Sequence, residues 1–294
     1  MRTFFDKLEE RCRTANTLLC VGIDPQVSDL PQPTAEALQQ YCLEIIEQCA
    51  PYAAAFKPNS AFFEAFGSDG WAVLKEIIAH VPKDIAVILD VKRGDIASSA
   101  QAYARAAFEW LGADAVTVNP YLGKDAVEPF LSYPGRGAFL LCKTSNPGAN
   151  VLQEARLIGE GGRGEILYER VAHLANQLNQ AGNVGLVAGA TYPEAIERIR
   201  AIVPEMWLLA PGVGAQGGDL EAAIRSGLRQ DGLGMLINVS RSISHSPNRS
   251  EAARQFREQI NRYRQQISQN RGRDSVRSAF PPQTRRIADG LLES

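Results

Sequence analysis

The chain has 294 residues, 45% of them hydrophobic, which suffices for one large domain or two small ones around a substantial core. Thirty-one Lys plus Arg against 33 Asp plus Glu leave a formal charge of -2, so the protein as a whole is not an electrostatic nucleic-acid binder, and a small ligand held locally is the better expectation. The N-terminal MRTFFDKLEERCRTANTLLC scatters charges where a secretory signal would run apolar, and no apolar segment reaches bilayer length. The five cysteines, odd in number and without a CxxC pair, read as reduced core thiols of a cytoplasmic protein rather than zinc ligands.

In chain order, short apolar runs alternate with segments of helical period. The strand candidates are TLLCVGI (17–23), AAAFK (53–57), IAVILD (85–90), AVTVN (115–119), GAFLLCK (137–143), VGLVAG (184–189), WLLAPG (207–212) and GMLINV (234–239). Between them, TAEALQQYCLEIIEQCA, DIASSAQAYARAAFEWLG, GEILYERVAHLANQLNQAG, TYPEAIERIRAIV and DLEAAIRSGL carry the composition and apolar spacing of helices. Eight strands, each followed by a helix or a helix-length link, predict a single-domain (β/α)8 TIM barrel over residues 1–268. A doubly wound open sheet is the rival, but it usually has fewer strands, and the first strand here ends in GIDPQ instead of a glycine fingerprint. After residue 268 polar residues, Arg and a Pro pair break the pattern, so 269–294 reads as an Arg-rich extension, solvated or used for a partner contact.

In such a barrel the C-terminal ends of the strands converge on the catalytic face. Strand one offers Asp24 there, strand two Lys57, strand three Asp90 and Lys92, and strand four Asn119; the last four lead into KTSNPGA, GAT, PGVGAQGG and SRS. The densest stretch is ILDVKRGDI. With a side-chain period of two, Asp90 and Lys92 point to one face and Val91 to the other. They form either a reaction centre or a structural ion pair, and the cost of burying charge disfavours the second. Asp95 at the start of the next helix is either catalytic or an N-cap, and Arg93 can simply be solvated. PGVGAQGGDL, together with Arg241 after strand eight, reads as a phosphate cradle, although tight turns also require glycine. His80, His173 and His245 lie away from the strand ends, which disfavours a His triad or a His-rich metal site, and no Walker motif is present. What remains is a phosphorylated small molecule held beside alternating carboxylates and ammoniums.

The strings AFKPNSAFFE, ILDVKRGDI, VNPYLG, KTSNPGA, VAGAT and APGVGAQGGD, in this order, resemble the orotidine 5'-monophosphate decarboxylase family, specifically the subgroup whose core motif reads DxKRGDI (type 2). The resemblance runs from about Asp24 to Arg241. It implies a cofactor-free, metal-free decarboxylation of orotidine monophosphate to uridine monophosphate and carbon dioxide, the final step of UMP synthesis. It also implies a cytoplasmic homodimer with shared active sites and no membrane or nucleic-acid partner. Under it, Lys57, Asp90, Lys92 and Asp95 form a charged catalytic array, Lys92 protonates the carbon that loses its carboxylate, and Asp95 reaches into the neighbouring subunit's site. Asp24 and Lys57 would hold ribose hydroxyls, Ser145 the pyrimidine, and Gln216 and Arg241 the phosphate; Gly217 would also bind the substrate, Ile96 would line the pocket near the base, and Pro211 would lie in the closing loop. Ser99 stands where the family pattern has Thr, and its hydroxyl would contact the ribose.

Two other readings stay open. A magnesium-dependent sugar-phosphate decarboxylase or aldolase of the same superfamily shares the DxKxxD spacing, but it would favour a carboxylate where Lys57 stands, because a cation repels the metal. A non-catalytic nucleotide-binding barrel would have little use for paired charges at a reacting centre.

Overall fold

Strands buried on both faces need helices outside and side chains inside, which is how a closed parallel sheet meets its hydrophobic demand. The computed structural model describes residues 2–158, 164–213 and 219–279, with residues 270–279 given by backbone alone. Its strands are β1 (Leu19–Ile23), β2 (Ala55–Pro58), β3 (Ala86–Arg93), β4 (Ala115–Val118), β5 (Gly137–Lys143), β6 (Arg156–Ile158), β7 (Gly164–Ile166), β8 (Val184–Ala188), β9 (Leu208–Ala210) and β10 (Met235–Val239). Eight of them close a parallel barrel in the order β1-β10-β9-β8-β5-β4-β3-β2. Every residue of β1, β8 and β10 is buried. The eight strands expected from the sequence are the eight barrel strands.

One element departs from expectation. β6 and β7 form an antiparallel hairpin between β5 and β8, with Arg156 opposite Ile166 and Ile158 opposite Gly164. The sequence places GEI in a helix; the helix instead begins at Leu167 and runs to Leu178. Strands of three residues, none of them buried, leave no apolar alternation to read.

The N-terminal helix Phe4–Thr14 closes the bottom of the barrel. Thr3 caps it, accepting from Asp6 N at 3.1 Å while Asp6 Oδ2 accepts from Thr3 N at 2.7 Å. Phe5 meets Phe139 of β5 edge-on at 5.5 Å and stacks on Trp207 at 6.3 Å. Each such fully buried side chain contributes about 1.5–3 kcal/mol. With the bottom plugged by aromatic rings, the cavity lies at the other end.

Helices Ala35–Cys49, Gly67–His80, Ala97–Arg105, Pro193–Ile202 and Leu220–Gly227 join Leu167–Leu178 around the barrel. All five cysteines are buried and unbonded, and burial pushes the Cys20 thiol up to about 12, as inert packing groups require. The last helix, Arg249–Ala279, seats Ala253, Ile260 and Ile267 on the barrel at seven-residue intervals. It continues unbroken past residue 268, where the sequence sets the end of the barrel, and residues 280–294 lie outside the described residues. Among the described residues, no helix is long and apolar enough to cross a membrane.

Candidate active site

Asp90 organises the mouth of the barrel. It is 8% exposed, and its carboxylate takes three donors: Lys57 Nζ on Oδ2 at 2.8 Å, with Lys92 Nζ at 2.5 Å and Thr117 Oγ1 at 2.9 Å on Oδ1. Lys57 comes from β2, Asp90 and Lys92 from β3, and Thr117 from β4, so three adjacent strands build one charged row. Thr117 also accepts the backbone N–H of Lys92 at 2.9 Å, which fixes the turn of chain that carries the second ammonium.

The pairing of Asp90 with Lys92 has a different cause from the pleat. β3 is bulged against β4: Leu89 pairs with Val116 and Arg93 with Val118, so extra chain bows out between them. Lys92 sits in this bulge with φ +46°, a left-handed conformation that a side chain with a Cβ adopts only at a cost of about 1–2 kcal/mol. Such strain gathers where function dictates the direction of a side chain.

Burial alone would discharge both members of the inner pair. It pulls Lys57 down, but the Asp90 carboxylate, with Asp24 behind it, outweighs burial and lifts the ammonium above the ordinary lysine range. Burial pushes Asp90 up, yet Lys57 and then Lys92 hold its carboxyl well below the usual carboxylate range. Positive and negative charge therefore stay fixed side by side.

The row lines a cavity of about 490 Å³. Asp24, Lys57, Asp90, Lys92 and Arg241 stand on the arc made by β10, β1, β2 and β3, while Leu141, Val187 and Leu209 supply an apolar arc from β5, β8 and β9. A charged arc facing an apolar one suits an anionic ligand with a flat ring. Ser145 and Pro211 line the same space. Among the described residues, Asp24 Oδ1 and Asn238 Oδ1 are buried acceptors with no hydrogen-bond partner, which fits them for donors on a ligand. Arg241 opens the short helix Arg241–Ser244 just beyond β10.

Asp95, Ile96 and Ser99 do not join this constellation. None lines the cavity; Ile96 is 53% exposed, Ser99 is exposed, and Asp95 Oδ1 accepts from Ile96 N at 2.8 Å. The cap position of the following helix is Ile96, not Asp95. Arg93, expected to be solvated, is instead tied down: its guanidinium donates to Glu64 at 3.0 Å and lies 4.9 Å from the centre of the Tyr103 ring, clamping the loop that presents Asp95. Gln216 and Gly217 of the expected phosphate cradle lie outside the described residues. The helix after that loop has its first turn capped by its own Asp219, which accepts from Ala222 N at 3.0 Å.

His80, His173 and His245 stand away from the cavity, beside Glu47, Glu165 and Asp29. Among the described residues, no group of three or more His, Cys, Asp or Glu is placed to hold a metal ion. Thr117 and Asn238 are the site residues that sequence reasoning missed. Each interrupts an otherwise apolar strand, a polar residue in a fully buried run, and that was the available signal.

The chain is similar to known proteins over most of its length. A family model described as Orotidine 5'-phosphate decarboxylase / HUMPS family matches residues 17–256. The orotidine 5'-phosphate decarboxylase of Roseiflexus castenholzii is 46% identical over 269 residues, covering 88% of this chain and 97% of that protein. The structure of Leishmania donovani OMP decarboxylase is similar with a TM-score of 0.81 at 49% identity, over 89% of this chain and 98% of that one. That of Leishmania donovani UMP synthase gives a TM-score of 0.84 at 50% identity over 90% of this chain, which spans 57% of that longer protein. With its barrel, its charged row and these matches over most of its length, the chain belongs to the orotidine 5'-phosphate decarboxylase / HUMPS family.

Proposed function

We propose that the protein decarboxylates orotidine 5'-monophosphate to UMP and carbon dioxide, and that it falls in the subgroup whose motif reads DxKRGDI. The observation that carries this reading is the buried, charged Lys57–Asp90 pair with the half-exposed Lys92 ammonium on the same carboxylate, at the mouth of a barrel of this family. Loss of carbon dioxide breaks the bond between the ring and its carboxylate and leaves the electron pair on ring carbon C6. With no electron sink in the substrate, that charge needs a preorganised cation. The Lys92 ammonium, placed by Asp90 and by the strained bulge, stabilises the carbanion and then gives it a proton to form UMP. Its side chain, 48% exposed, regains the proton from solvent. Asp90 acts through position: three donors leave its carboxylate no freedom to turn.

The remaining roles follow the two arcs. Arg241, with Gln216 and Gly217, grips the phosphate; Asp24 and Lys57 take ribose hydroxyls; Ser145 meets the pyrimidine, and Pro211 belongs to the loop that closes over it. Binding energy from the non-reacting phosphate is available to lower the barrier. Asp95, Ile96 and Ser99 complete the cavity of a second subunit in a cytoplasmic homodimer, a reading supported by their position beside, not in, their own chain's cavity, with Ile96 and Ser99 exposed and Asp95 half-buried. The catalytic apparatus lies within residues 1–268, and the segment 269–294 stands outside it.

Orotidine monophosphate labelled at its carboxylate carbon tests the reaction. Label should leave as carbon dioxide in step with UMP formation; label retained in the nucleotide pool contradicts the proposal.

A further inference from the structure

Lys143 ends β5 with 1% of its surface exposed, and the mechanism above does not use it. Its Nζ donates to Asn150 Oδ1 at 2.5 Å, pairs with Glu154 Oε1 at 3.1 Å and lies 3.9 Å from the centre of the Tyr192 ring. A carboxylate, an amide oxygen and an aromatic face together offset the desolvation of a buried ammonium. An apolar side chain would fill the same space without that demand, so what the ammonium joins matters.

It joins two segments of the cavity wall. Asn150 and Glu154 bracket the short helix Asn150–Gln153, and Tyr192 precedes the helix Pro193–Ile202 that follows β8. Between Lys143 and Asn150 run Thr144, Ser145 and Asn146, all three lining the cavity together with Gln153. Thr144 N donates to Gln153 Oε1 at 2.9 Å and Gln153 Nε2 donates to Thr144 Oγ1 at 2.9 Å, so the helix pinned by Lys143 in turn holds the lip. From the β8 side, Gly189 N donates to Lys143 O at 2.7 Å and Thr191 Oγ1 to Ser145 O at 3.4 Å. A Cβ on Gly189 would fall 2.9 Å from Ser145 Cα, so Ser145 lies as close to β8 as a backbone allows. A bulge in β5, where Leu141 pairs with Val187 and Lys143 with Ala188, lets the strand turn into this lip.

We infer that Lys143 is a positioning residue for base recognition: it locks the Thr144–Asn146 lip and Gln153 against β8, so that Ser145 is presented to the pyrimidine, and it does not touch the substrate itself. The inference rests on the proposed reading of Ser145 as the pyrimidine contact. Among the described residues, Arg241 beyond β10, at the phosphate end, shares none of Lys143's bonds, and that end should not feel its loss.

The test compares binding of UMP with that of ribose 5-phosphate, which lacks the base, by calorimetry. In Lys143→Met, UMP should bind about tenfold more weakly, equivalent to about 1.4 kcal/mol, with ribose 5-phosphate nearly unchanged. Glu154 is 44% exposed, so losing the Lys143 ammonium leaves it to solvent and strands no buried charge, and replacing both residues also removes the unpaired carboxylate. The Lys143→Met/Glu154→Met variant should therefore fold and still show the selective loss, and Glu154→Gln should show a smaller one. A wild-type ratio of the two affinities in the double variant would make Lys143 mere core filling, and an equal loss for both ligands would make it a general fold support; either overturns the inference. Orotidine monophosphate turnover by the wild type is read separately: its absence defeats the functional reading, while the ligand ratio still reports on Lys143.

Discussion

Lys57 Nζ and Asp90 Oδ2 stand 2.8 Å apart, with side chains 5% and 10% exposed. Each keeps the other charged, although Asp90 retains Lys92 and Thr117 when Lys57 is lost. Lys57→Met should destabilise the fold by about 2 kcal/mol, since it removes the buried cation and leaves Asp90 to a half-exposed one, and should raise the Asp90 pKa. Urea unfolding checks the first effect and a new acid limb in the rate profile the second. A variant as stable as the wild type with an unchanged profile contradicts the pairing.

The same pair fixes a dependence on pH. The Asp90 carboxyl is held below its unfolded value of about 3.9, so its contribution is complete above that pH and is lost as pH falls through the folded value. Lys57 is raised above about 10.4, so its contribution is complete below that pH and is lost only as pH rises beyond it. The stability difference between wild type and Lys57→Met/Asp90→Leu, whatever its sign at neutrality, should be flat from about pH 5 to 9 and should turn against the wild type below about pH 4. A difference that moves between about pH 6 and 8 would assign titration of the pair to the wrong range.

Lys92 at φ +46° gives a backbone prediction independent of its charge. Lys92→Ala and Lys92→Gly both lack the ammonium, but only glycine adopts this conformation freely, so Lys92→Gly should be more stable by about 1 kcal/mol. Equal thermal midpoints would mean that the bulge relaxes once the lysine is gone.

The proposed sharing of active sites between subunits predicts complementation. Lys92→Ala and Asp95→Ala should each be nearly inactive alone, and mixing them under conditions that exchange subunits should restore activity through hybrid dimers that carry one intact site. No recovery after exchange has been demonstrated would leave Asp95 without its proposed place.

Much of the barrel was legible because each strand is a predominantly apolar run and each link has a helical period. The Asp90–Lys92 pairing was legible too, although the pleat argument reached it by the wrong route: a bulge and a left-handed residue place Lys92, and neither leaves a mark in the sequence. Thr117 went unnoticed because a lone Thr in AVTV looks like any β-former. Arg93 and Lys143 were read as a solvated charge and part of a motif. Their partners, Glu64 and Tyr103, Glu154 and Tyr192, meet them only after folding. The hairpin of β6 and β7 was lost to its shortness.

Consumption of orotidine monophosphate, followed by ultraviolet absorbance in excess EDTA for wild type and Lys92→Ala side by side, tests the account most directly. The wild type should turn over undiminished by the chelator, and Lys92→Ala should lose about 1,000-fold or more in kcat while still binding UMP. Near-normal turnover by Lys92→Ala would remove that residue from the proton transfer. Turnover abolished by EDTA and restored by magnesium would return the charged row to a metal-dependent chemistry that Lys57 should forbid.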